Sequence, residues 1–369
     1  MQYSKFKNIE LSRLGMGAMR LPQTEEGWGK PIDYDEAQKL IDHCMAQGIN
    51  YYDTAFFYHN GDSEVFLGKA LAKHPRDSFY VADKYNLPSM ADYKAQFAEQ
   101  LKRLQMDCID FYMLHGISDD SLDTYMTNGC IEYFMEQKAQ GRIKYLGFSF
   151  HATAPVIEKI TARHDWDFAM IQLNYLDWFH GSAEKLYTHL DEKNIPIMVM
   201  EPVHGGMLAK LTDEGVALLK AAEPDRSIVS WALRFIADLP SVTVILSGMS
   251  NMEQANDNIS TIKESKPLSE KDKKTLLEAS TMLFKTMAVT CTACKYCLPD
   301  CPLELDIPTL LSVYNEYKAG GDWRLNRLKA LPKEKRPEAC TGCGICNNHC
   351  PQNIDIPPLM KDMTKMMNK

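Results

Sequence analysis

Between about residue 10 and residue 265, short apolar runs of β character alternate with longer stretches whose apolar positions recur at helical spacing. Eight runs read as strands: Leu14–Met19, Ile49–Asp53, Ser78–Lys84, Ile109–Leu114, Tyr145–Ser149, Phe168–Leu173, Ile195–Glu201 and Thr243–Ser247. Amphipathic patterns such as Asp35–Gln47 and Met90–Leu104 lie between them. Strict alternation of strand and helix is the signature of parallel βαβ units. Eight units in a row predict an α/β fold of the closed (β/α)8, or TIM-barrel, type and not an open sheet. In such barrels the chemistry sits at the C-terminal ends of the strands, on loops held by a packed core.

After the eighth unit, Ser269-Glu270-Lys271-Asp272 opens one more charged helix, which runs to about Met287. A cysteine-rich segment follows. Of the eleven cysteines, Cys44, Cys108 and Cys130 are scattered in apolar surroundings and read as small core residues, whereas the other eight lie between Cys291 and Cys350. That asymmetry divides the 369 residues into a barrel over residues 1–284 and a small domain over residues 285–369. The tail beyond Pro357 places Met360, Met363, Met366 and Met367 at helical spacing, which predicts a helix packed on the small domain.

Charge removes some functions. With 41 Lys and Arg against 49 Asp and Glu, the net charge of -8 shows no basic excess, so a nucleic-acid partner has no electrostatic support. No apolar run approaches the roughly 18 residues of a membrane span, and Met1-Gln2-Tyr3-Ser4-Lys5 does not lead into a signal peptide. The expected location is the cytoplasm, with no membrane partner. Thiols stay reduced there, so a dense cysteine cluster points to metal and not to disulfides.

At the predicted strand ends stand Asp53 after the second strand with Tyr58 five residues on, Lys84 after the third and His115 after the fourth. Four polar groups therefore converge on one mouth. His59, His151 and His204 also fall beside strand ends; they read as loop or pocket groups without a catalytic role, because no carboxylate or histidine stands at ligand spacing.

The motifs Ile49-Asn50-Tyr51-Tyr52-Asp53-Thr54-Ala55 with Tyr58, Asp110-Phe111-Tyr112-Met113-Leu114-His115, and Gly141-Arg142-Ile143-Lys144-Tyr145-Leu146-Gly147 resemble the aldo-keto reductase family over most of residues 10–265. The resemblance implies hydride transfer between NADP or NAD and a small carbonyl or alcohol substrate. It makes Tyr58 the proton donor, Lys84 the cation coupled to it, Asp53 the group that holds Lys84, and His115 the donor to the carbonyl oxygen. A phenol with a pKa near 10 is a poor acid at neutral pH, so it needs a neighbouring cation that favours phenolate. His115 matters because negative charge develops on the carbonyl oxygen. Family members that act on conjugated carbon-carbon double bonds change this position, so a histidine favours aldehyde or ketone reduction.

By the same resemblance, Ser149, Gln172 and Asn174 occupy the strand ends that bind the nicotinamide carboxamide. Phe150 stands where the family has an asparagine, and Met200 where an aromatic ring stacks on nicotinamide. Gly205-Gly206 offers the pyrophosphate a close backbone approach, and Ser247-Gly248-Met249-Ser250 with Gln254 and Asn258 resembles the adenosine cradle. From Phe235 through Ile262 there is no Lys or Arg. The usual cation for a 2′-phosphate is missing, and a preference for NADPH over NADH below about tenfold, or roughly 1.4 kcal/mol, is expected.

Cys291, Cys294 and Cys297 lead to Cys301-Pro302, and Cys340, Cys343 and Cys346 lead to Cys350-Pro351 with identical spacing. The pattern resembles bacterial two-cluster ferredoxins and implies a ferredoxin-like domain with two 4Fe-4S clusters. Ligation is then crossed: Cys291, Cys294, Cys297 and Cys350 for one cluster, Cys340, Cys343, Cys346 and Cys301 for the other. Tetrahedral zinc also accepts four thiolates, but its ligands usually come as separated CxxC pairs. Between the motifs, Arg324, Arg327, Lys329, Lys333, Lys335 and Arg336 face only Glu334 among residues 323–336. Such a segment is either a solvated helix and loop or a docking patch for an acidic carrier such as ferredoxin or flavodoxin. Two other functions compete with an enzyme: an electron-transfer subunit whose barrel is a scaffold or nucleotide sensor, and a barrel that binds flavin.

Overall fold

The computed structural model describes the chain apart from residues 26–29, 88, 118–120, 152–153, 290, 292–296, 300, 319–323, 351–353 and 369. An antiparallel hairpin of β1 (Tyr3–Phe6) and β2 (Ile9–Ser12) comes first. Eight parallel strands then form a closed barrel: β3 (Leu14–Gly17), β4 (Tyr51–Asp53), β5 (Tyr80–Tyr85), β6 (Ile109–Ile117), β7 (Ile143–Phe150), β8 (Phe168–Gln172), β9 (Ile197–Met200) and β10 (Val242–Ser247). The ring closes where Ile245, Leu246 and Ser247 of β10 pair with Leu14, Gly15 and Met16 of β3. Every predicted strand is present, with shifted ends.

The hairpin is the addition that sequence patterning does not foresee. A two-stranded ribbon is marginal alone; this one is held because Phe6 and Leu11 bury completely against Tyr51, Phe111, Phe168 and Val244. The Phe6 ring meets Phe111 edge-on at 5.2 Å and Tyr145 at 4.9 Å. Helix starts follow capping chemistry. Asp33 accepts the Glu36 N–H at 3.1 Å and opens the helix Tyr34–Ala46. Asp92 accepts the Lys94 and Ala95 N–H groups, both at 3.0 Å, so the helix expected from Met90 begins at Tyr93. Asp110, inside a family-like motif, is a barrel brace: it is fully buried, accepts from Arg76 at 2.6 Å and from the Val81 N–H at 2.9 Å, and forms an ion pair with Lys144 at 2.6 Å.

The chain divides into two compact units. The larger holds Met1–Trp178, Ser182–Lys210 and Lys220–Leu276; the smaller holds Phe179–Gly181, Leu211–Leu219 and Leu277–Lys369. The division expected between residues 284 and 285 falls inside the helix Glu270–Thr286, whose last turns belong to the smaller unit. That unit has its own core, built from Leu305, Ile307, Leu310, Leu311 and Val313 with Ile356, Met360 and Met363. The methionine stripe is therefore packed, on the helix Ile356–Met367, where the pliable thioether chains fill space between neighbours. Among the described residues, no helix is long and apolar enough to cross a membrane.

Candidate active site

Lys84 points into the barrel from β5 and is only 2 % exposed. Its ammonium donates to Asp53 Oδ1 at 2.6 Å and to the Thr54 carbonyl at 2.5 Å, and lies 5.1 Å from the centre of the Tyr58 ring. Burial alone would lower the pKa of this ammonium. Asp53 and Tyr58 more than offset that, and hold Lys84 above the ordinary lysine value. The short bond to Asp53 has the length of a charge-assisted one. Burial raises the Tyr58 pKa, and the neighbouring Lys84 opposes the rise. Tyr58 thus keeps its proton in the resting site and has a cation ready for the phenolate it leaves behind. Immediately after Tyr58 the chain turns sharply through His59, Asn60 and Gly61, all at positive φ, before the helix Asp62–Leu71.

His115 extends from β6 beside them. Its ring stacks on Phe57 at 5.3 Å with an 18° tilt and meets Tyr58 edge-on at 6.1 Å. Burial, then Lys84 and His151, push its pKa well below the ordinary value, so the imidazole is neutral. Asn86 sets the tautomer. Its Oδ1 accepts from the Ser89 N–H at 3.0 Å, which leaves Nδ2 to face His115 Nδ1 at 3.5 Å. The ring proton then resides on Nε2, directed away from Asn86.

Behind Lys84 stands a network that the motifs do not announce. Asp83 and Glu64 are both fully buried. Asp83 Oδ1 accepts the Lys84 N–H at 2.8 Å, and Gln100 Nε2 donates to Glu64 and to the Lys84 carbonyl, each at 3.0 Å. Arg103 pairs with Glu64 at 2.8 Å. Burial and then Glu64 raise the Asp83 pKa well above the carboxylate range.

The residues expected around a nucleotide fall into groups. Ser149 is buried; its Oγ accepts from the Gly116 N–H at 2.7 Å and faces the Leu114 carbonyl at 3.4 Å. Gln172 and Asn174 come together because both amides donate to Asp177 Oδ2, at 2.8 and 2.7 Å. Asn174 Oδ1 also accepts the Asp177 N–H at 2.9 Å, so its amide serves the start of the helix Tyr175–His180. Gln172 keeps its Oε1 as an acceptor, which suits a carboxamide NH2. His204, which has no carboxylate at ligand spacing in the sequence, has Asp177 Oδ2 at 3.3 Å from its Nδ1 as an ion-pair partner, and among the described residues the pair belongs to no cluster of three metal-ligating side chains. Burial works against the Asp177 charge, but His204 and the two amides hold its pKa below the ordinary value. His59 is buried, with Nδ1 3.2 Å from Gln23, and His151 is exposed.

Gly205 and Gly206 adopt φ of 63° and 100°, and a Cβ on Gly206 would meet nothing within 4 Å, so its backbone is open to approach. Ser247 and Asn258 form a buried pair at 2.9 Å, and Gln254 Oε1 accepts the Ser250 N–H at 2.8 Å. A Cβ on Gly248 would come within 3.2 Å of Arg20.

In the smaller unit, Cys301 lines one cavity together with Cys340, Cys343 and Cys346, and Leu305, Ile307 and Met360 supply apolar wall. Burial raises the Cys346 pKa, and Cys340, Cys343 and Cys301 raise it further. Cysteines gathered around an apolar hollow suit an iron-sulfur core, which takes them as thiolates. Cys291, Cys297 and Cys350 are at least half-buried; Cys294 lies outside the described residues. The basic segment is largely committed internally. Arg324 and Arg327 bind Glu316 at 2.6 and 3.1 Å, Lys335 binds Glu304 at 3.0 Å, and Arg336 donates to the Leu331 and Lys329 carbonyls at 2.7 and 2.6 Å. Among the described residues, only the Lys329 and Lys333 side chains of the six carry no such bond.

The profile of the aldo/keto reductase family matches residues 13–280, and that of the 4Fe-4S dicluster domain matches residues 290–354. The chain belongs to the aldo-keto reductase family, as an oxidoreductase with an added 4Fe-4S domain. It is 27% identical over 286 residues to the uncharacterized oxidoreductase YqkF of Bacillus subtilis, covering 68% of this chain and 87% of that one. An aldo-keto reductase of Bacillus halodurans superposes with a TM-score of 0.63 at 28% identity, over 76% of this chain and 96% of that chain. The fold is shared with an aldo-keto reductase of Klebsiella pneumoniae in complex with NADPH, with a TM-score of 0.60 at 18% identity over 73% of this chain and 92% of that one.

Proposed function

We propose that this chain interconverts a small aldehyde or ketone and its alcohol with NADPH or NADH at the barrel mouth. Two 4Fe-4S clusters would exchange single electrons with a carrier such as ferredoxin or flavodoxin. The observation that carries the first part is Lys84 held between Asp53 and Thr54, facing Tyr58 and beside a neutral His115. The Klebsiella relative's NADPH complex supports the choice of cofactor.

A bound nicotinamide supplies the hydride. The chain's own groups do the rest. His115 Nε2–H donates to the carbonyl oxygen and is worth most as charge grows there. Tyr58 gives its proton to that oxygen, and Lys84 stabilises the phenolate, held in place by Asp53. Gln172 Oε1 would orient the carboxamide, and the open backbone at Gly206 would approach the pyrophosphate. The eight cysteines Cys291, Cys294, Cys297, Cys301, Cys340, Cys343, Cys346 and Cys350 would hold the clusters, with Cys301 crossing to the second motif. Hydride carries two electrons and each cluster accepts one, so direct exchange between nicotinamide and cluster should be slow.

The test is Tyr58→Phe, assayed anaerobically across a panel of small carbonyls. Turnover should fall by at least the roughly 100-fold that loss of a general acid brings, with nucleotide affinity nearly unchanged. Undiminished turnover would remove the assignment.

A further inference from the structure

The adenosine segment has no cation of its own, since residues 235–262 contain neither Lys nor Arg. The barrel brings one from the other end of its sequence. β10 pairs with β3 in a register that sets Ser247 opposite Met16, so the turns leaving these two strands are neighbours. Arg20 closes the short turn Ala18–Arg20 that follows β3. Built on Gly248, a Cβ would lie 3.2 Å from Arg20 Cβ and 3.3 Å from its Cγ and Cδ, so the arginine stem runs directly over the glycine. Ser250 Oγ ties the two turns together by donating to the Arg20 carbonyl at 2.8 Å. The arginine is exposed, and its guanidinium makes no hydrogen bond or ion pair among the described residues.

A guanidinium whose stem is fixed by packing and whose donors are unused is a prepared site for a phosphate. We propose that Arg20 recognises the 2′-phosphate of NADPH, which makes this residue of the first strand's turn the determinant of nucleotide choice. The absence of a side chain at Gly248 leaves room for the stem. The inference rests on the nucleotide site proposed above, and it reverses the expectation of weak discrimination drawn from the segment's lack of cations.

The test is a titration of the intact holoprotein with NADPH and with NADH, followed by nucleotide fluorescence, in the unaltered chain and in Arg20→Gln. Unaltered protein should bind NADPH at least tenfold more tightly. Arg20→Gln should weaken NADPH by tenfold or more and leave NADH within twofold. Equal weakening of both nucleotides would assign Arg20 to the shared pyrophosphate and overturn the proposal. So would unchanged binding of both. Failure of the unaltered chain to bind either nucleotide would instead remove the nucleotide site itself, and this inference with it. Thermal unfolding of the variant separates these results from loss of fold.

Discussion

In the barrel, Asp53, Lys84 and His115 arrive from three different strands and Tyr58 from a loop, and each is fixed by contacts among protein groups. In the smaller unit, the cavity lined by Cys301, Cys340, Cys343 and Cys346 is surrounded by short elements and an apolar wall, and burial together with the other three cysteines raises the Cys346 pKa. Opposite charges hold the first site together. The second gathers cysteine sulfurs against an apolar wall, where a metal core can take them as ligands. The comparison teaches that a site of packed protein groups can be complete before anything binds, whereas a site made for metal is finished by its metal.

The largest expected effect comes from stripping the iron. Chelation under oxidising conditions should abolish the cooperative unfolding of the smaller unit and confine rapid proteolysis to residues beyond Leu276, while nucleotide binding by the barrel survives. Protease resistance of that segment without iron would show that its core suffices, and would break the comparison.

A smaller effect should separate the two clusters. Cys301→Ala should remove roughly half the iron and alter the signal of the cluster held by Cys340, Cys343 and Cys346, and Cys350→Ala should alter the other. Paramagnetic resonance of the reduced proteins reads this directly. Loss of the cluster adjacent in sequence to each mutation would disprove the crossing.

The smallest effect tests the barrel's independence from bound groups. Because the folded Asp83 pKa is raised, its stabilising contribution is full below the ordinary carboxylate pKa and is lost as pH rises through the folded value. Between those values stability should fall by up to about 1.4 kcal/mol per pH unit. Asp83→Asn keeps the neutral form, so its melting temperature should vary less from mildly acidic to alkaline pH. An identical profile for both proteins would mean that Asp83 is ionised.

Much of this was legible in the sequence, for physical reasons. Strands buried on both faces leave apolar runs, so all eight barrel strands could be found. Asp53, Tyr58, Lys84 and His115 could be named because strand ends converge. What escaped depends on contacts between distant parts of the chain. β1 and β2 are too short to show a periodicity, and their reason for pairing is the aromatic floor they cover. Arg20 lies outside the segment it overhangs. The charge run at residues 323–336 looked unbalanced because two of its partners, Glu304 and Glu316, lie upstream of it. Asp177 escaped because its role is to receive amides that the motifs had assigned to nicotinamide.

The pairing of β10 with β3 also sets an order of assembly. The first barrel strand is made early and waits, one edge open, until the last strand has been synthesised. The second cysteine motif emerges from the ribosome only after that last strand. Iron loading that needs both motifs would therefore come late in the life of the nascent chain, when the barrel strands are already available to close, and a stalled or truncated product would carry the barrel without the second cysteine motif.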